Sequence, residues 1–245
     1  MRAIKKTKMS QILNADFGKE DTIWLTKGKT LRKAIGILGM ALPFLLILSL
    51  YFFSNFSEPL ESISHYYYTR VSGVFIGILS ILAIFLIIYK GKAPTDLIIS
   101  TIAGVAVLFV LLFPTGNISE ICHDKTKTYS LIILPKNEFR ETFHYISAAV
   151  FLSCLSFMSI FIFTKSDKSK EERGEKKILR NKIFRVCGVI MIITLVVIFF
   201  GGFCKFIPED FYQNNQITFW MEAIAVESFG FSWLIKGETW FKDKK

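Results

Sequence analysis

The chain has 245 residues, 52% of them hydrophobic, with 25 phenylalanines, a mean hydropathy of +0.44 and a net charge of +10. That is too apolar for an ordinary water-soluble domain of this length. The basic excess sits in alternate loops between apolar blocks, not in a basic domain interleaved with aromatics, so nucleic acid is excluded as a partner.

A polar leader, residues 1–33, comes first and carries Lys5, Lys6, Lys8, Lys27, Lys29, Arg32 and Lys33. Ile23, Trp24 and Leu25 stand among its charges, so part of it is expected on a membrane surface. No small-residue cleavage site follows the first apolar block, which is expected to serve as the insertion signal itself. Six blocks of roughly membrane-spanning length then follow. They are read at 34–53, with Pro43 as a kink, 68–89, 97–113, closed by Pro114, 143–163, 183–203 and 217–235. The expected fold is all-α: one polytopic integral membrane domain, a six-transmembrane-helix bundle over residues 34–237, with a short tail at 238–245.

Lys and Arg set the orientation. The leader, the turn with Lys90 and Lys92, the loop from Lys165 to Lys182 and the tail are rich in them. The intervening loops are poorer. With six spans all the rich segments fall on one side, which places both termini in the cytoplasm and the protein in the cytoplasmic (plasma) membrane.

The outer side then collects the unusual polar residues. The segment Glu61-Ser-Ile-Ser-His-Tyr-Tyr-Tyr-Thr-Arg70 opens the second block. If it is helical, Ser62, His65, Thr69 and Ser72 line one stripe. His144 and Ser147 make a similar pair at the mouth of the fourth block. Glu222 lies about one turn into the sixth and Glu227 near its middle. A carboxylate that deep must face the bundle interior, a wet cavity or a polar partner, or be protonated. The two acids are five apart, about 140° around a helix, so they address different neighbours.

Three chemistries suit these residues. His65 and His144 fit an aromatic belt at the headgroup level, each being next to a tyrosine. Pointing inward with Glu222, they could instead act as hydrogen-bond donors or general bases toward a lipid headgroup, with Ser62, Ser64 or Thr69 as a nucleophile. Two His and a carboxylate could also hold zinc, but no HExxH-like spacing is present and neither metal nor cofactor is expected. Cys122 and Cys204 share the outer side and are the one pair able to form a stable disulfide. Gly73-xxx-Gly77 and Ser100-xxx-Gly104 are read as close helix contacts within one bundle, with oligomerisation left open.

The pattern of a Ser-rich segment before the second span, "FHYISAAVFLS" in the fourth, "RNKIFRVCG" at the fifth and "MEAIAVESFGFSWLIKG" in the sixth resembles the damage-regulated autophagy modulator and Frag/Sfk type of membrane protein, with its bacterial six-span relatives. The resemblance runs from about residue 34 to 237. It implies lipid handling, with His144 matching the family's span-four histidine, Arg185 its basic approach to span five, and Glu222 or Glu227 its span-six acid. Membrane lipids are thus the expected partner. The leading expectation is a lipid-interacting protein with a polar pocket open to the outer leaflet. Ser62, His65, Thr69, His144, Ser147 and Glu222 line it and Glu227 closes its floor. A lipid hydrolase or acyltransferase with His65 or His144 as base is the second reading. A channel or transporter using Glu227 is the third.

Overall fold

The computed structural model describes residues 28–118, 130–166 and 174–241. The expected membrane-surface segment at 23–25 and Cys122 lie outside them; Cys204 is exposed. Seven α-helices are described: α1 Gly28–Ser54, α2 Ser72–Ile87, α3 Pro94–Leu112, α4 Glu138–Phe157, α5 Glu175–Val197, the short α6 Glu209–Asn214 and α7 Ile217–Lys236. A 3₁₀ turn, Ile63–Tyr68, precedes α2. Turns of π-helix extend α4 through Met158–Ile162 and α5 through Ile198–Phe203. Among the described residues there is no strand, only an isolated bridge between Thr69 and Ser130.

Four helical stretches are long and apolar enough to cross a membrane: Gly28–Ser54, Pro94–Leu112, Glu138–Ile162 and Glu175–Phe203. The protein is therefore membrane-embedded and all-helical. Its outer faces are apolar too: Phe44, Leu48 and Phe52 on α1, and Val189, Ile192, Ile193 and Val196 on α5, are all exposed. In water such faces would drive aggregation; against lipid they are the proper exterior.

The two remaining apolar helices depart from this pattern for separate reasons. α2 is only 16 residues long, about 24 Å at 1.5 Å per residue. The block read at 68–89 loses its first residues to the end of the 3₁₀ turn and the link after it, so the helix begins only at Ser72. α7 is 20 residues long but carries Glu222 and Glu227. It packs against α1 on one side and α5 on the other and touches α4. Ala223, Ala225, Phe229, Gly230 and Trp233 are buried around much of its circumference. A helix enclosed this way meets protein more than lipid, and so tolerates a lower hydropathy.

Neighbours follow in a ring: α1 beside α2, then α3, α4, α5 and α7, which returns to α1. Lys29 at the start of α1 pairs with Glu238 just past α7 at 2.6 Å, so those two ends lie together. The α1–α7 crossing is a backbone contact. A Cβ on Gly36 would come 2.8 Å from the Gly230 carbonyl oxygen, and one on Gly230 would come 2.7 Å from the Gly36 oxygen. Gly104 meets the Ala83 carbonyl of α2 in the same way, at 2.7 Å, while Ser100 Oγ donates to the Tyr89 carbonyl. The Ser100-xxx-Gly104 contact thus forms as read. Gly73 and Gly77 do not: a Cβ on either meets open space. α1 also starts earlier than read, at Gly28, and runs unbroken through Pro43. α5 starts at Glu175, with its first turns basic.

Candidate functional site

The segment before α2 does not continue that helix, so the expected stripe of Ser62, His65, Thr69 and Ser72 is not made. Its own side chains stop it. Ser62, in extended conformation, accepts a hydrogen bond from the Ser64 amide and caps the 3₁₀ turn. Thr69 closes the turn: its Oγ1 donates to the Tyr66 carbonyl at 2.9 Å and accepts from the Val71 amide at 3.3 Å. Both hydroxyl functions of Thr69 therefore serve the backbone, and the residue is buried. Ser147 is likewise occupied, donating to the Phe143 carbonyl one turn back at 2.7 Å, a common helical habit of serine. Thr69 thus commits its hydroxyl to the turn, and Ser147 commits its donor to its own helix.

The turn brings the other candidates together. Glu222, reaching from α7, accepts from Ser62 Oγ at 2.8 Å and from the Ile63 amide at 2.7 Å. One carboxylate oxygen thus ties α7 to the turn through two hydrogen bonds, each strengthened by the charge when the acid is ionised. His144, from α4, reaches the same turn. Its Nε2 lies 3.1 Å from Ser64 Oγ, and its Nδ1 lies 2.8 Å from the Phe113 carbonyl and 3.2 Å from that of Val110. A carbonyl can only accept, so Nδ1 carries the proton of the neutral ring. Nε2 is then the acceptor for the Ser64 hydroxyl. Ser64, left open among three alternatives by the sequence, is the hydroxyl that the fold pairs with a histidine.

His65 sits on the turn itself. Its Nδ1 is 3.6 Å from a Glu61 oxygen, too long for a hydrogen bond, and is buried without a hydrogen-bond partner. Burial holds its imidazole below the usual 6.5, outweighing the opposite pull of Glu61. On the same turn, the Tyr68 hydroxyl donates to the Thr115 carbonyl, and burial raises the Tyr68 phenol to about 12. Ser62, Ser64, His65, His144 and Glu222 therefore form one cluster built by three elements: the 61–69 segment, α4 and α7. Among the described residues no group of three His, Cys, Asp or Glu side chains converges in a way that would hold a metal ion.

Glu227 does not lie beneath this cluster. It lines a separate groove of about 520 Å³ with Met40, Lys182, Val186, Cys187 and Phe231. Met40 belongs to α1, Lys182, Val186 and Cys187 to α5, and Phe231 to α7 itself, so the groove runs along the flank of α7. Glu227 Oε1 is buried there without a hydrogen-bond partner. The five-residue offset from Glu222 explains the separation, because the two carboxylates leave the helix in directions about 140° apart. No family model, curated protein or solved structure matches the chain.

Proposed function

We propose that the chain is a six-span, lipid-interacting protein of the cytoplasmic membrane, with both termini inside, whose Ser62/Ser64/His65/His144/Glu222 cluster faces the outer leaflet and engages a lipid headgroup. α2 and α7 complete the span count that the four longer helices begin. The orientation rests on the concentration of Lys and Arg at the opposite end. The observation that carries the reading is the convergence of His144 and Glu222, from two other helices, on the serines of the 3₁₀ turn that also carries His65. His65 Nδ1, buried with no hydrogen-bond partner, supplies a polar atom for a headgroup to meet. The resemblance to a lipid-handling family points the same way.

A second reading is favoured by the Ser64–His144 geometry. A serine hydroxyl on Nε2, with Nδ1–H fixed by a carbonyl, is the nucleophile, base and orienting group of acyl transfer. Ser64 Oγ would attack an ester carbonyl carbon while Nε2 takes its proton. The proton then passes to the departing alcohol, and water or an acceptor hydroxyl releases the acyl group. Here Glu222 holds the turn in position and does not touch the reacting atoms.

The deciding experiment compares lipid co-purified with the wild type, His65→Phe, His144→Phe and Tyr67→Phe in mild detergent. Both His variants are expected to lose bound lipid while Tyr67→Phe keeps it, and the double His variant should show a non-additive loss. Folded His variants with wild-type lipid content would leave these rings as an aromatic belt only. Ser64→Ala separates the two readings. Retained lipid with lost ester turnover supports acyl transfer, and no turnover in any variant removes it.

A further inference from the structure

The polar cluster is not the largest concentration of unspent chemistry. A cavity of about 900 Å³ opens at the other end of the bundle, where α1 begins and α7 ends. Its walls come from α1, α3, α5 and α7, the segment following α2 and the π-helical end of α4. It is thus a vestibule on the bundle axis rather than a dent in its side. Seven cationic side chains line it against three carboxylates.

Two of the three carboxylates are already committed. Asp96, buried, is taken by Lys165 at 2.6 Å and by the amides of Lys92 and Ala93. Glu238 is paired with Lys29, which lies outside the lining. The deepest cations are met by neutral groups. Lys236 Nζ donates to the Phe163 carbonyl at 3.2 Å and stands 5.2 Å over the Phe163 ring. A neutral carbonyl and a ring face do not neutralise that ammonium group. Arg32, its guanidinium 5.8 Å over the Tyr89 ring, has a buried Nε without an acceptor. Converging like charges in a partly desolvated site are costly unless an anion joins them.

From this arrangement we infer that the vestibule binds a phosphate group, carried on an anionic lipid headgroup or free in solution. A phosphate offers several acceptor oxygens at once, which suits forked arginine and multi-proton lysine donors converging from different helices. The volume falls within the range of small-ligand sites. Phe163, Phe184 and Ile235 give it an apolar floor beside the charges, and basic pockets between membrane helices recognise lipid headgroups on this physical basis. The site is separate from the Ser64–His144 cluster, and neither inference depends on the other.

The test uses the full chain in detergent, titrated in turn with short-chain phosphatidic acid, short-chain phosphatidylcholine and inorganic phosphate. Apparent Tm and native mass are read. Phosphatidic acid is expected to raise Tm and stay bound as a single adduct, and phosphatidylcholine to do neither. A shift with inorganic phosphate as large as with phosphatidic acid supports the site and assigns it to the free anion. Lys236→Met should weaken binding by about tenfold or more, the loss of a charge-assisted contact. Lys92→Gln with Lys176→Gln, both exposed at the rim, keeps the bundle intact and should weaken it by roughly threefold to fivefold. No shift with either phosphate probe overturns the inference, as does equal binding by wild type and the rim variant.

Discussion

At the residue scale, the local chemistry of the 61–69 segment decides both its shape and its titration. Serine and threonine hydroxyls at its ends satisfy backbone groups, so the chain closes into a short turn in place of a helical stripe. The turn buries His65 beside Glu61, and desolvation outweighs that neighbour, so the folded protein keeps the ring neutral below its ordinary 6.5. The unfolded chain binds a proton there before the folded chain does, so folding becomes less favourable as pH falls through and below about 6.5. Apparent Tm should therefore drop between about pH 7.5 and about pH 5.5, and His65→Asn, which cannot titrate, should flatten part of that drop. Identical slopes for the two proteins would show that His65 is not held neutral by the fold.

At the element scale, the bundle is held by a few backbone approaches, and these separate two kinds of glycine. Gly36 and Gly230 face each other's carbonyl oxygens across α1 and α7, so an added methyl has no room unless a helix shifts. Gly230→Ala should cost about 1–3 kcal/mol, the usual penalty of overpacking, read as a lower apparent Tm or poor yield. Gly73→Ala and Gly77→Ala meet open space. They should be neutral or stabilising by up to roughly 1 kcal/mol, since alanine is the better helix former. Equal losses at both pairs would mean that the crossing is not as tight as described. The sequence shows both pairs as small residues but cannot say which has a partner, because that depends on the ring order of helices and not on spacing. Element positions were largely legible, since long apolar runs leave few alternatives in a membrane. The site was legible in part. His144 and Glu222 stood out as polar residues in apolar runs. The pairing of Ser64 with His144 requires α4 to pack beside the turn, and the grouping of basic residues into one cavity requires the ends of α1, α3, α5 and α7 to meet. No local pattern encodes either.

At the scale of the molecule, one end is basic and the other holds the polar cluster, and the fold connects that asymmetry to topology. Lys29 and Glu238 bring the start of α1 and the end of α7 together. Lys177, at the start of α5, meets the carbonyls of Phe163 and Lys165 at the end of α4. Lys92 and Asp96 join them before and within α3. Arg70, Lys136, Arg140 and Lys205 belong to the opposite end. Cytoplasmic retention of Lys and Arg then predicts the basic end inside. The check is cysteine labelling in intact cells, in a background with Cys122, Cys154, Cys187 and Cys204 replaced by Ser. Glu175→Cys reports the basic end and Lys136→Cys the other, and both positions are exposed. A membrane-impermeant maleimide should label Lys136→Cys at once and Glu175→Cys only after permeabilisation. Labelling of Glu175→Cys from outside would invert the protein. The histidine cluster would then face the cytoplasm and the basic vestibule the exterior, where the anionic lipids of the inner leaflet could not reach it.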